Sequence, residues 1–101
     1  GNDVLLGGDG NDTITGESPT SPQEAGNDTI DGGAGFDFVT YEDITADYGS
    51  GVVVDLDAGE GVIAGLHDSL QNIEGVIGTN YSDVIAGNDD DNVLYGRDGN
   101  D

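Results

Sequence analysis

Single aliphatic residues recur along this chain two places after an acid, with mostly polar neighbours. Asp3-Val4-Leu5, Asp12-Thr13-Ile14, Asp28-Thr29-Ile30, Asp37-Phe38-Val39 and Asp83-Val84-Ile85 share the pattern, and Asn92-Val93-Leu94 repeats it with an amide. Successive side chains of a strand point to opposite faces, so each triplet predicts a short strand with its middle residue inward. That assigns Leu5, Ile14, Ile30, Val39, Ile85 and Leu94 to a core, one per unit. The stretches between triplets are glycine-rich turns, complete in Gly7-Gly8-Asp9-Gly10-Asn11-Asp12 and Gly32-Gly33-Ala34-Gly35-Phe36-Asp37. Six residues of turn and three of strand describe a coil that reverses direction every nine residues.

The units fall into two blocks. Block one, residues 1–40, holds four, and its third is interrupted: residues 17–25 stand where two residues are expected, an insertion of seven. Pro19 and Pro22 make this a surface excursion from a turn. Block two, residues 78–101, keeps a strict spacing of nine with degenerate turns. The middle, residues 41–77, is not repetitive. Its β-branched run Val52-Val53-Val54 predicts a strand over 51–57, and Val62-Ile63-Ala64 a second, short one. Residues 68–77 predict a capped single helical turn near Asp68–Asn72, then a strand.

Composition changes the picture, because such a chain lacks the means to fold on its own. Apolar residues are 34% of its 101 residues, and 19 glycines add no core. Twenty-two acids against one base, Arg97, give a net charge of −21, which repels itself in any compact state. The missing favourable term is read as a bound cation. Nucleic acid and anionic membrane surfaces are excluded as partners, since both need basic patches. With no cysteine there is neither a disulfide nor a thiolate zinc site. No apolar run approaches the roughly 20 residues of a membrane span. The chain starts and stops in mid-repeat, so it reads as an excised piece of a longer protein.

The chemistry of the turns points to calcium. Glycines permit positive φ and close backbone approach, and carbonyls with a terminal aspartate are the hard oxygen donors that Ca²⁺ takes. The pattern Gly-Gly-x-Gly-x-Asp-x-apolar-x resembles the nonapeptide repeat of the RTX (repeats-in-toxin) family over about two thirds of the chain. The resemblance implies an all-β, right-handed parallel β-roll, with two nonapeptides per coil and several calcium ions between loops stacked at every second repeat. Carried onto this chain, the Asp12 loop stacks on the Asp37 loop, Asp3 on Asp28, and Asp83 on Asp101. Carbonyls of Gly7, Gly8, Asp9, Gly10, Gly32, Gly33, Ala34 and Gly35 complete the leading site with Asp12 and Asp37. In block two the implied ligand set is Gly78, Asn80, Asp83, Gly87, Asp89, Asn92, Gly96, Asp98, Gly99 and Asp101. Asn92 is neutral there, and Asp89 or Asp91 offers a substitute.

The middle also resembles a segment found between RTX repeat blocks, through Asp68, Leu70, Asn72, Ile73, Glu74, Val76 and Gly78. It implies a wider, irregular coil that continues one domain into block two. The family further implies a non-catalytic, calcium-dependent folding module of a secreted bacterial protein, exported unfolded by a type I route. Flanking repeats or domains of the parent chain are its expected partners. Two other roles stay open: an accessory module of a secreted protease, lipase or alginate epimerase, and an adhesin or ice-binding roll whose face takes a glycan or other surface ligand.

Other chemistries are weaker. An EF-hand fails, because Asp9-x-Asn11 and Asp55-x-Asp57 lack the later glycine and glutamate at the required offsets. His67-Asp68-Ser69 are adjacent, whereas a catalytic triad assembles from distant segments. Asp55, Asp57 and Glu60 read as a solvated strand edge rather than a glycosidase pair. The tyrosines share no repeat position, and the outward threonines are too few for an ordered face.

Overall fold

The computed structural model describes residues 1–16, 26–42 and 49–101. The insertion and Tyr48 therefore lie outside the described residues. Among these residues the chain is all strand. Block one supplies β1 (Val4–Asp9), β2 (Thr13–Thr15), β3 (Thr29–Ala34) and β4 (Phe38–Thr40). The middle supplies β5 (Val53–Asp55), β6 (Glu60–Ile63), β7 (Leu66–Gln71) and β8 (Gly75–Ile77), and block two β9 (Val84–Ala86) and β10 (Val93–Tyr95).

These strands build two facing sheets, one ordered β1-β3-β7-β6-β5-β9 and the other β10-β8-β4-β2. Every pairing between coils is parallel, as a β-roll requires. The repeat arithmetic appears directly in the contacts. Block-one loops meet partners 25 residues on, which is two nonapeptides plus the seven inserted residues. Asp83 and Asp101, in block two, meet across 18.

Two features of the middle depart from the sequence reading. Residues 66–71 are the strand β7, not a helical turn, because Asp68 and Leu70 alternate inward against exposed His67, Ser69 and Gln71. The wider coil is an antiparallel meander: β5 pairs with β6, and β6 with β7. Ala64 (φ 49°) and Gly65 (φ 82°) form its two-residue turn, whose twist suits a hairpin. Asp55 Oδ1 closes the other by accepting the amides of Asp57 and Ala58.

Ile30, Val39, Val52, Val54, Ile63, Leu70, Ile73 and Val76 form the core, together with the ring of Tyr41. Leu5, Ile14 and Ile85 pack on it partly buried, at the ends of the stack. Leu94 departs from expectation at 40% exposed, since β10 is an edge strand with no coil beyond it.

Candidate metal centre

Glycine-rich turns become loops that stack because each terminal acid receives an amide from the neighbouring coil. The Asp12 amide donates to Asp37 Oδ1 at 2.8 Å, and the Asp37 amide donates to Glu74 Oε2 at 2.9 Å. On the other side of the roll the Asp3 amide donates to Asp28 Oδ1 and the Asp28 amide to Asp68 Oδ1. Two acidic ladders therefore climb the stack. Each crosses from block one into the middle through a residue absent from the expected ligand set, Asp68 or Glu74. Their signal was present in the sequence: each stands two places before a core residue, Leu70 or Val76, as the repeat aspartates do.

The Asp12/Asp37 rungs are electrically incomplete. Asp37 is fully buried and Asp12 half-buried, and the Oδ2 atom of each is sealed from solvent without a hydrogen-bond partner. A carboxylate in that state costs several kcal/mol unless a cation faces it. The surroundings fit one. A β-carbon on Gly7 would strike the Gly32 carbonyl and stand 2.8 Å from Asp12 Oδ2. A β-carbon on Gly32 would strike the Asn72 carbonyl and stand 2.7 Å from Asp37 Oδ2. The orphaned oxygens thus converge with backbone carbonyls in spaces that only glycine leaves open. Gly8, Gly10, Gly33 and Gly35 all hold positive φ, which turns the peptide planes within the loops. Among the described residues no three His, Cys, Asp or Glu side chains cluster, so carbonyls must be a large share of any donor set here.

The remaining predicted positions divide by conformation. Residues 96–101 keep the block-one form: Arg97 (φ 72°) and Gly99 (φ 125°) stand where Gly8 and Gly10 do. Asp101 Oδ1 accepts the Asp83 amide, so the expected Asp83/Asp101 stacking is present. The loops at 78–83 and 87–92 are instead closed by their own side chains. Asp83 Oδ2 accepts the Thr79 amide, and its Oδ1 accepts the Thr79 hydroxyl and the Val52 amide. The Thr79 hydroxyl in turn accepts the Tyr81 amide. Asn88 and Asn92 repeat this closure: Asn92 Oδ1 accepts the Asn88 amide, while Asn88 Oδ1 accepts from Asn92 Nδ2 and the Asp90 amide. No sealed, unpartnered oxygen remains among the described side chains of either loop. Asp89, Asp90 and Asp91 are exposed.

The second ladder ends on a tyrosine. Asp68 Oδ2 accepts the Tyr41 hydroxyl at 3.0 Å. Burial pushes the Asp68 carboxyl up from 3.8 to about 6, with Asp28 adding like charge, against the stabilising Asp28 amide and Tyr41 hydroxyl bonds and the nearby His67. Asp68 points inward, whereas His67 and Ser69 point out, so the three form no relay. His67 Nδ1 meets Glu60 Oε1 at 2.6 Å on the exposed face.

A comparison with protein families finds the RTX calcium-binding nonapeptide repeat, in four copies, at residues 1–18, 24–39 and 77–101. These spans cover more than half of the chain, which belongs to that family. No curated protein matches it. The repeat is a calcium-binding structural unit rather than a catalytic one. No helix among the described residues is long and apolar enough to cross a membrane.

Proposed function

We propose that this RTX-repeat chain is a calcium-dependent folding module of a larger secreted protein. Asp12 and Asp37 hold the ion of its leading site. The observation that carries this reading is the pair of sealed, unpartnered Oδ2 atoms set against backbone carbonyls. Bound calcium supplies two positive charges where the carboxylates converge. Loops that form a site only when stacked turn binding energy into folding energy. With a net charge of −21, the chain stays open in a calcium-poor cytosol and closes outside the cell at roughly millimolar calcium.

The loops at 78–83 and 87–92 act in this scheme as metal-free spacers, held by Thr79–Asp83 and Asn88–Asn92. Asp3, Asp98 and Asp101 are weaker positions at the ends of the stack, and Asp28, between Asp3 and Asp68, is weaker because the insertion at 17–25 interrupts its loop.

Equilibrium dialysis against radioactive calcium, with excess Mg²⁺ to displace loosely held ions, tests the reading. Saturable binding that is lost on replacing both Asp12 and Asp37 by asparagine is the expected result. Binding that the double variant retains in full overturns the assignment.

A further inference from the structure

The β3–β7 register carries one step beyond its last pair, so Gly32 lies opposite Asn72. The β4–β8 register likewise sets Asp37 opposite Glu74. Six residues, 32–37, therefore stack on only three, 72–74. The short turn omits the middle of a repeat loop and keeps its two ends, a carbonyl at the first position and a carboxylate at the last. Residues 40–76 lie outside the matched repeats.

We infer that a second calcium site lies between the 32–37 loop and this turn, with Asp37 Oδ2, the Asn72 carbonyl and the Glu74 carboxylate as its protein donors. The inference rests on the calcium reading above but concerns a different place. Its first support is Asp37, fully buried, with Oδ2 unpartnered and facing Gly32 beside the Asn72 carbonyl. This arrangement copies the one at Gly7, where Asp12 Oδ2 stands beside the Gly32 carbonyl. Asp37 then serves both spaces, with Oδ1 on the side of Asp12, whose amide it accepts, and Oδ2 on the side of Asn72.

The turn is also held in place. Asn72 adopts φ 53°, and its Nδ2 donates to Asp31 Oδ1 at 2.8 Å, fixing the direction of its peptide. Glu74 Oε2 accepts the Asp37 amide at 2.9 Å, which holds its carboxylate against the last residue of the 32–37 loop. Block two supplies the contrast. Gly78 meets the Gly96 carbonyl in the same way, but Asp83 Oδ2 there already accepts the Thr79 amide.

The test is an anomalous difference map from crystals of the calcium-loaded chain, in which the roll is already folded. A calcium peak between the 32–37 loop and residues 72–74, beside a peak between the 7–12 and 32–37 loops, is the expected result. A peak between the two repeat loops with none at Asn72 and Glu74 overturns the second site and leaves the first intact. If neither space holds a peak, both readings fall. Equilibrium dialysis of Glu74→Gln at saturating calcium should find about one ion fewer than in wild type. An undiminished count overturns the second site, and should this variant fail to fold, the wild-type map still decides.

Discussion

Asp37→Asn should harm this protein only to the extent that calcium is present. The fully buried Asp37 presents Oδ1 to the Asp12 amide and leaves Oδ2 unpartnered. Asparagine keeps an oxygen for the Asp12 amide, so the stacking hydrogen bond survives. Without calcium two effects oppose each other: a buried uncompensated charge disappears, and a buried amide donor lacks an acceptor, each worth about 1–3 kcal/mol. With calcium, the variant forfeits an ion. For a site tuned to extracellular levels, with Kd of about 10⁻⁴–10⁻³ M, one ion contributes about 1.4–2.7 kcal/mol at about 10 mM calcium. At about 0.1 mM it contributes less than about 0.5 kcal/mol. A domain of this size changes Tm by roughly 4–8 °C per kcal/mol. The Tm gap between wild type and variant should therefore widen by about 5–18 °C between about 0.1 mM and about 10 mM calcium, whatever its calcium-independent baseline. Thermal melts by circular dichroism across that range measure it. A gap of constant size would refute the reasoning, since it would make Asp37 a packing residue rather than a ligand.

Thr79→Val should behave oppositely, costing about 1–3 kcal/mol at every calcium concentration, because it removes a hydroxyl bonded to buried Asp83 and leaves the block-one loops untouched. The same melts distinguish the two variants. Asp68 gives a pH test at saturating calcium, read from urea unfolding with Asp68→Asn as reference. Its folded carboxyl titrates near 6, above the unfolded 3.8, so the native state holds the extra proton. Its contribution is present below about pH 4 and is lost as pH rises through about 6, amounting to about 3 kcal/mol. Wild type should therefore fall relative to Asp68→Asn across that window, and parallel profiles would contradict the buried carboxyl.

The repeat frame was legible because one aspartate and one aliphatic residue per nine positions fix both loop and core. The Asp12/Asp37, Asp3/Asp28 and Asp83/Asp101 stackings follow from it, and all three appear as amide–carboxylate bonds. The middle was less legible. Asp68-Ser69-Leu70 carries the repeat's own spacing, but without a glycine loop before it the segment looks like a helix cap. The Ala64-Gly65 turn lacks the Asn-Gly or Asp-Gly signal of a tight hairpin, so the meander was hidden. The shortened turn at Asn72–Glu74 depends on strand register, which only pairing reveals. Leu94 was assigned inside by pattern, yet a core position is buried only where another coil covers it.

Far-UV circular dichroism during a calcium titration, with Mg²⁺ at matched ionic strength beside it, bears most directly on calcium-driven folding. The expected result is a cooperative passage from disordered to β-rich with Ca²⁺ alone. A spectrum already β-rich in chelator and unchanged by calcium would contradict it, and would mean that the Val52–Val76 core folds the chain without an ion.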